Sequence, residues 1–258
     1  MQTIIFCGGF GTRLREETEY RPKPMVNIGD KPILWHIMKI YAHYGMKDFI
    51  LPLGYKGEMI KDYFCNYESR NNDITIELGK PTSTCLQSCH EEIGWKISMI
   101  NTGNNTLKSG RLKRVEKYIK DDVFMMTYGD GVANVDLDAL LKFHQSHNRM
   151  VTLTGINPTA RFGKLKLEGD TILSFREKPE KGDNDHYVNG GFFVLNKEIF
   201  NYLSEDFDFE SGLLEDLAQQ GELMMYRHDG FWFCMDTIRD MDALNEMWQK
   251  GDTPWKIW

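Results

Sequence analysis

The stretch Ile4-Ile5-Phe6-Cys7-Gly8-Gly9-Phe10-Gly11-Thr12-Arg13, followed by Pro22-Lys23-Pro24-Met25, constrains the fold more than any other part of the chain. Thr3 to Cys7 is a short apolar run ending at glycines, the pattern of a central parallel strand. Gly8, Gly9 and Gly11 free the backbone to take positive φ and to approach a ligand closely, so that successive N–H groups converge on an anion. Arg13 adds a planar fork suited to phosphate oxygens and Lys23 a compact point charge. Pro22 and Pro24 fix their own φ, and Pro24 restricts Lys23, which predicts a lysine held on a stiff extended segment. The combination implies a nucleoside triphosphate site; the plainer alternative is a glycine-rich turn flanked by two surface cations. The dinucleotide fingerprint needs another glycine spacing, and a Walker lysine would directly follow a glycine.

The chain then alternates. Asp30-Lys31-Pro32 reads as a helix start, with Ile33, Ile37, Ile40 and Tyr41 at helical spacing as far as Gly45. His36 and His43 within it read as structural or solvated. Asp48 to Leu53 is the next apolar strand and Glu58 to Phe64 the next helix, an alternation that favours a parallel sheet. Asp73 to Leu78 and Trp95 to Ile100 read as strands around an irregular Lys80 to Gly94, which is a lid, an interaction arm or a disordered tip. Val123 to Thr127 is a second buried strand, and Asp136 to His147 an amphipathic helix. After it come shorter strands, Val151–Thr154, Lys164–Glu168, Ile172–Phe175 and Val188–Leu195, which suit an antiparallel addition. The expected architecture is one α/β domain over 1–258, with a mostly parallel central sheet flanked by helices and a smaller antiparallel addition in the C-terminal half. About 1–150 would bind nucleotide and about 151–258 would bind the second substrate and close the pocket.

Composition narrows the function classes. Of 258 residues, 41% are hydrophobic, enough for a sizeable core. A net charge of −7 argues against a general nucleic-acid binder, which needs a basic surface. Cys7, Cys65, Cys85, Cys89 and Cys234 are an odd, scattered set, and the N-terminus carries no secretory pattern, so reduced thiols in the cytoplasm are expected. No apolar run approaches a membrane span. Cys85-x-x-x-Cys89-His90 lacks a second ligand pair at zinc-finger spacing.

Four further clusters bear candidate chemistry. Thr102 to Gly110 is rich in small polar residues before a helix carrying Leu112 and Val115; it is an ordinary capped loop or a ligand edge, with Arg111 the better candidate for a contact than the solvated Lys113, Arg114 and Lys117. Tyr128-Gly129-Asp130-Gly131 puts a carboxylate at a strand's carboxyl end, where open α/β sheets bind ligands and Mg²⁺ finds oxygen; otherwise Asp130 is a turn residue. Glu177, Lys178, Asn189 and Gly190 bring groups suited to sugar hydroxyls and a phosphate, or else form a charged hairpin end. Asp236 either caps the helix through Met241, Leu244 and Met247 or joins Asp130 at a metal. The aromatic Trp255-Lys256-Ile257-Trp258 is expected to dock.

On the motifs Gly8 to Leu14, Pro22 to Met25, Lys31 to Lys39, Ser109 to Arg114, Thr127 to Gly131, Glu177-Lys178-Pro179 and Asn189 to Phe193, the chain resembles the sugar-1-phosphate nucleotidylyltransferases nearly end to end, and within them the cytidylyltransferases. The resemblance implies a Rossmann-like nucleotidyltransferase fold, a Mg²⁺ requirement, CTP and α-D-glucose 1-phosphate as substrates, and a homo-oligomer, with a hexamer as the suggested form. It implies that Arg13, Lys23 and Asp130 act in catalysis, and that Phe6, Cys7, Gly8, Gly9, Phe10, Gly11, Thr12, Asn105, Gly110, Arg111 and Gly129 lie at the nucleotide. Glu177, Lys178, Asn189 and Gly190 would face the sugar phosphate, and Asp130 and Asp236 the metal. Cys7, Asn104, Ser109 and Phe233-Cys234 depart from the family's usual Ala, acidic residue, Gly and Gln-Pro, and they surround the base-reading loop and the metal strand. The rivals are thymidylyl, uridylyl or guanylyl transfer, a glycosyltransferase using Asp130, and a non-catalytic nucleotide module.

Overall fold

The structure, a computed structural model, describes residues 1–76, 84–87, 90–157, 164–168, 171–176, 187–204 and 208–258, with 84–87, 164–168 and 171–176 described through their backbone. Strand β1 (Gln2–Phe6) is buried along its whole length. Its side chains alternate between two apolar clusters, Ile5 in one and Ile4 and Phe6 in the other, so it has no solvent face and belongs in the middle of a sheet. The other principal strands are β2 (Asp48–Leu53), β3 (Lys96–Asn101), β4 (Val123–Tyr128), β5 (Gly131–Ala133), β6 (Val151–Ile156), β7 (Val188–Asn196), β8 (Leu223–His228) and β9 (Trp232–Cys234). Seven of them form one sheet in the order β8-β6-β7-β4-β1-β2-β3. Every pairing in it is parallel except those of β7, which runs antiparallel to both β4 and β6.

Val151–Thr154 and Val188–Leu195 pair antiparallel, as their sequences suggest, but they extend the main sheet; β6 also runs parallel to β8, because a helix carries the chain back before β6 begins. Among the described residues the other antiparallel pairings are two-stranded: Lys164–Glu168 with Thr171–Arg176, Asp73–Ile76 with Thr84–Gln87, Asn27–Ile28 with Lys31–Pro32, and β5 with β9.

Helices α1 (Ile33–His43), α2 (Gly57–Cys65), α3 (Lys108–Val115), α4 (Leu137–His147) and α5 (Ile238–Lys250) cover the sheet. Side chains of α1, α2, α4 and α5 join the cluster containing Ile5, whereas Leu112 and Val115 of α3 join the cluster containing Ile4 with Phe200, Phe209 and Leu217. Helix α1 starts later than Asp30-Lys31-Pro32 suggests: Pro32 is extended and caps it, and the Ile33 N–H bonds the Val26 carbonyl at 2.8 Å. The tail docks as expected. Trp255 is fully buried, contributing roughly 1.5–3 kcal/mol of burial. Its indole Nε1–H reaches His36 Nδ1 at 3.4 Å, and His36 Nε2 faces the Ile28 carbonyl at 3.0 Å, so His36 is structural while His43 is exposed. Among the described residues no helix is long and apolar enough to cross a membrane.

Candidate active site

The carboxyl ends of β1 and β4 open into a cavity of about 680 Å³ lined by the glycine-rich loop, Lys23, Asn104 to Lys108, Thr127 to Gly131, Asn189 to Phe192, Asp236 and the side chains between them. The three glycines of the loop serve different ends. Only Gly11 takes positive φ, at 65°, opening the short turn Thr12–Leu14. A Cβ on Gly8 would overlap the Arg111 guanidinium, and one on Gly9 would meet nothing within 4 Å, since it faces the open cavity. Thr18 Oγ1 donates to the Gly11 carbonyl at 3.1 Å, and Tyr55 Oη donates to the Thr18 carbonyl at 3.0 Å, which pins the loop to the turn after β2.

Four charges meet at the cavity. Lys23 Nζ lies 2.7 Å from Asp130 Oδ2 and 2.6 Å from Asp236 Oδ1, and Arg13 Nη1 lies 2.6 Å from Asp236 Oδ2. Lys23 is only 7% exposed, and burial alone would depress its ammonium; Asp130 and Asp236 reverse this and hold it above the usual lysine value. Burial likewise works against ionised Asp236, but Lys23 and Arg13 keep its carboxyl below the usual range. Lys23 does not lie on an extended segment: it opens a single tight turn, Lys23–Met25, closed by the Met25 N–H on the Pro22 carbonyl at 2.8 Å. Asp236 is not the cap of α5. Thr237 fills that position, in a reciprocal capping box with Asp240, and leaves the Asp236 carboxylate to the cations. Cys234 Sγ completes a group with Asp130 and Asp236 whose ligand atoms lie within 4.8 Å of one another. Burial, then Asp130 and Asp236, push its thiol far up. Asp130 and Asp236 are thus the residues able to hold a dication, with Lys23 Nζ now bridging them.

Arg111 lines the cavity but is 4% exposed and committed to the protein. Nη1 donates to Thr102 Oγ1 at 2.8 Å and to the carbonyls of Gly103 and Leu53 at 2.7 and 3.2 Å; Nη2 donates to those of Gly8 and Asn104 at 2.9 and 3.0 Å. Besides lining the cavity, Arg111 is a clamp that joins the glycine loop, β2 and the Gly103–Asn104 loop. Leu107, not a small polar residue, caps α3, because Thr106 Oγ1 turns back to the Thr102 carbonyl. Phe6, Cys7, Phe10, Thr12, Asn105 and Gly129 line the cavity as expected, whereas Gly110 is buried within α3 and is not among the lining residues. A larger depression of about 860 Å³ lies elsewhere, beside Arg114 and Lys117; Lys113 and Lys197 there donate to the Phe200 and Ile119 carbonyls at 2.8 and 2.9 Å. It contains no counterpart of the Asp130–Asp236 pair.

On one wall, Lys108, Asp208 and Glu210 join Tyr128 and Asn189 without having been singled out in the sequence. Tyr128 Oη donates to Glu210 Oε1 at 2.7 Å, Asn189 Nδ2 donates to Tyr128 Oη at 3.2 Å, and Lys108 Nζ pairs with Glu210 while lying 4.9 Å from the Tyr128 ring centre. Asp208 caps the turn carrying Glu210. Only Asp208, a capping residue before an apolar run, offered a local signal. Gly190 accepts at its carbonyl from Trp232 Nε1 at 2.7 Å, so Asn189 and Gly190 do face the cavity. Glu177 and Lys178 lie outside the described residues.

The sequence profile described as "Nucleotidyl transferase" matches residues 2–247. The chain is 48% identical over 261 residues to the glucose-1-phosphate cytidylyltransferase of Salmonella typhi and 45% identical over 260 residues to the probable glucose-1-phosphate cytidylyltransferase of Bacillus subtilis strain 168, covering 100% of this chain and of each relative. Its fold is similar to the crystal structure of HddC from Yersinia pseudotuberculosis, with a TM-score of 0.68 at 24% identity over 96% of this chain and 99% of that one. The fold, the glycine loop and the profile agree, and the chain belongs to the nucleotidyl transferase family.

Proposed function

We propose that this chain transfers the cytidylyl group of CTP to α-D-glucose 1-phosphate, giving CDP-glucose and pyrophosphate. The observation that carries the reading is the meeting of Arg13, Lys23, Asp130 and Asp236 beside a glycine loop whose Gly9 faces open space. The full-length likeness to glucose-1-phosphate cytidylyltransferases supports the choice of base and sugar.

The sugar phosphate is already an anion, so the reaction needs no base and no covalent residue. Its oxygen bonds to the α-phosphorus as the bond from that phosphorus to the bridging β-phosphate oxygen breaks, and pyrophosphate leaves with the electron pair. Catalysis is therefore positioning and charge neutralisation. The N–H groups of Gly8 to Thr12, with Arg13 and Lys23, hold the triphosphate and take up charge on the leaving group. Asp130 and Asp236 fit Mg²⁺, an oxygen-seeking dication, because two partly buried carboxylates already converge on one cationic centre, Lys23 Nζ. When bound, Mg²⁺ supplies further charge neutralisation at the phosphates. Arg111 keeps the Asn104–Asn105 loop against the glycine loop, which fixes the edge that meets the base. Asn189 and Glu210 offer an amide and a carboxylate to the sugar hydroxyls.

The test is pyrophosphate release from glucose 1-phosphate and Mg²⁺ with CTP, UTP, dTTP, GTP and ATP in parallel. Preference for CTP is the expected result. Release with another base reassigns the product, and no release with any of the five overturns the reading.

A further inference from the structure

We propose that Cys234 turns the carboxylate pair into a mixed oxygen and sulfur site that binds thiophilic dications, such as Co²⁺, Zn²⁺ and Cd²⁺, in preference to Mg²⁺. This rests on the reading of Asp130 and Asp236 as cation ligands. Cys234 stands two residues before Asp236, and the two-residue period of an extended chain directs both side chains to one side. Strand β9 pairs with β5 so that Cys234 sits opposite Gly131, bringing the sulfur to the turn that carries Asp130. The result is one sulfur and two carboxylates with ligand atoms within 4.8 Å of one another, facing the cavity. Independently of the thiol, the carboxylates already bind a cation between them, the Lys23 ammonium.

The chemistry then separates the metals. Mg²⁺ seeks hard oxygen ligands and gains little from a sulfur ligand. A softer dication gains a sulfur ligand; the thiol proton leaves to solvent as the metal–sulfur bond forms. Cys7 is a poor substitute, since it is buried and its Sγ donates to the Ile5 carbonyl at 3.3 Å, and Cys65 is exposed on α2, away from the cavity lining. The consequence is an active site whose occupancy depends on the balance of available metals and which thiophilic ions block.

The test is titration of the reduced chain with Co²⁺, following the near-ultraviolet sulfur-to-cobalt charge-transfer band. The expected result is a band that saturates at equimolar metal, is displaced by excess Mg²⁺, disappears in Cys234→Ser and in Asp236→Asn, and survives in Cys65→Ser and in a Cys85→Ser, Cys89→Ser double variant. The ratio of Cd²⁺ to Mg²⁺ affinity should fall by about tenfold or more in Cys234→Ser. No band in the parent, a band that survives Cys234→Ser, or one that excess Mg²⁺ fails to displace overturns the proposal; the last needs no variant, and Cys234→Ala replaces serine if that chain misfolds. Pyrophosphate release in Mg²⁺ reads the reaction and not the sulfur, so either proposal can fail without the other.

Discussion

Replacing Lys23 with alanine should separate stability from turnover and reveal competition for the carboxylates. The ammonium makes two charge-assisted bonds, 2.7 Å to Asp130 and 2.6 Å to Asp236, and the two carboxyl side chains are 24% and 18% exposed. Breaking a fully buried pair costs roughly 3–5 kcal/mol; with partial exposure and Arg13 still on Asp236, about 2 kcal/mol is expected here. In catalysis the same cation is one charge facing the phosphates, and losing such a group costs about 2.7–4 kcal/mol, or ~10²–10³ in kcat. The two losses respond differently to Mg²⁺. Lys23 Nζ bonds the oxygens that would hold the dication, so alanine should tighten Mg²⁺ binding, and saturating Mg²⁺ should restore most of the lost stability and none of the lost turnover. Urea unfolding with and without Mg²⁺, paired with pyrophosphate release, measures both. Turnover within a few-fold of the parent, or equal stabilisation of parent and variant by Mg²⁺, would refute the reasoning.

Three further outcomes are expected. His36 is neutral in the fold, with Nε2–H donating to Ile28 and Nδ1 accepting from Trp255; burial lowers it from 6.5 to about 4, so its contribution is intact above pH 6.5 and as much as ~3 kcal/mol is lost as pH falls towards 4, a slope that should vanish in urea titrations of His36→Gln. Thr237→Ala removes the capping box of α5 and should destabilise by ~1 kcal/mol, seen as a lower Tm, because the Asp240 N–H loses the Thr237 hydroxyl at 3.3 Å and Asp240 loses its hydroxyl partner. Gly8→Ala pushes a methyl into Arg111 and should cost ~1–3 kcal/mol and raise the KM for nucleotide; an unchanged KM would show that the Arg111 clamp has no part in nucleotide binding.

Much of this was legible where the signal is local. An apolar run stopping at glycines gave β1 and β4, and Asp130 at the end of β4 reached the site because ligands of such sheets bind at strand ends. Asp236 stayed ambiguous in sequence, since a carboxylate before a helix suits a cap as well as a metal; the capping box formed by the next residue shows that it is not the cap. Strand β8, Leu-Met-Met-Tyr-Arg-His, was not found: it is a half-buried edge strand with no clean alternation, and its place comes from pairing with β6. The antiparallel course of β7 was anticipated, but the parallel pairing of β6 with β8 was not, because side chains record burial and not the course of the preceding connection. The structural role of Arg111 left no sequence signal for a related reason. Its five acceptors come from residues 8, 53, 102, 103 and 104, and all but one are backbone carbonyls, which leave no trace in residue type.

The Lys23–Asp236 contact spans 213 positions, which has a bearing on how the protein is made. At about 5–20 residues per second, Lys23 leaves the ribosome some ~10–40 s before its second carboxylate has been synthesised. During that interval β1 can pair with β2 and then β4, so the sheet centre can form while the charge cluster still lacks Asp236. The nascent chain therefore passes through a stage with a formed glycine loop and an incomplete charge cluster. Any nucleotide that stabilises the finished protein through Lys23 and Asp236 together can act only after synthesis has passed residue 236.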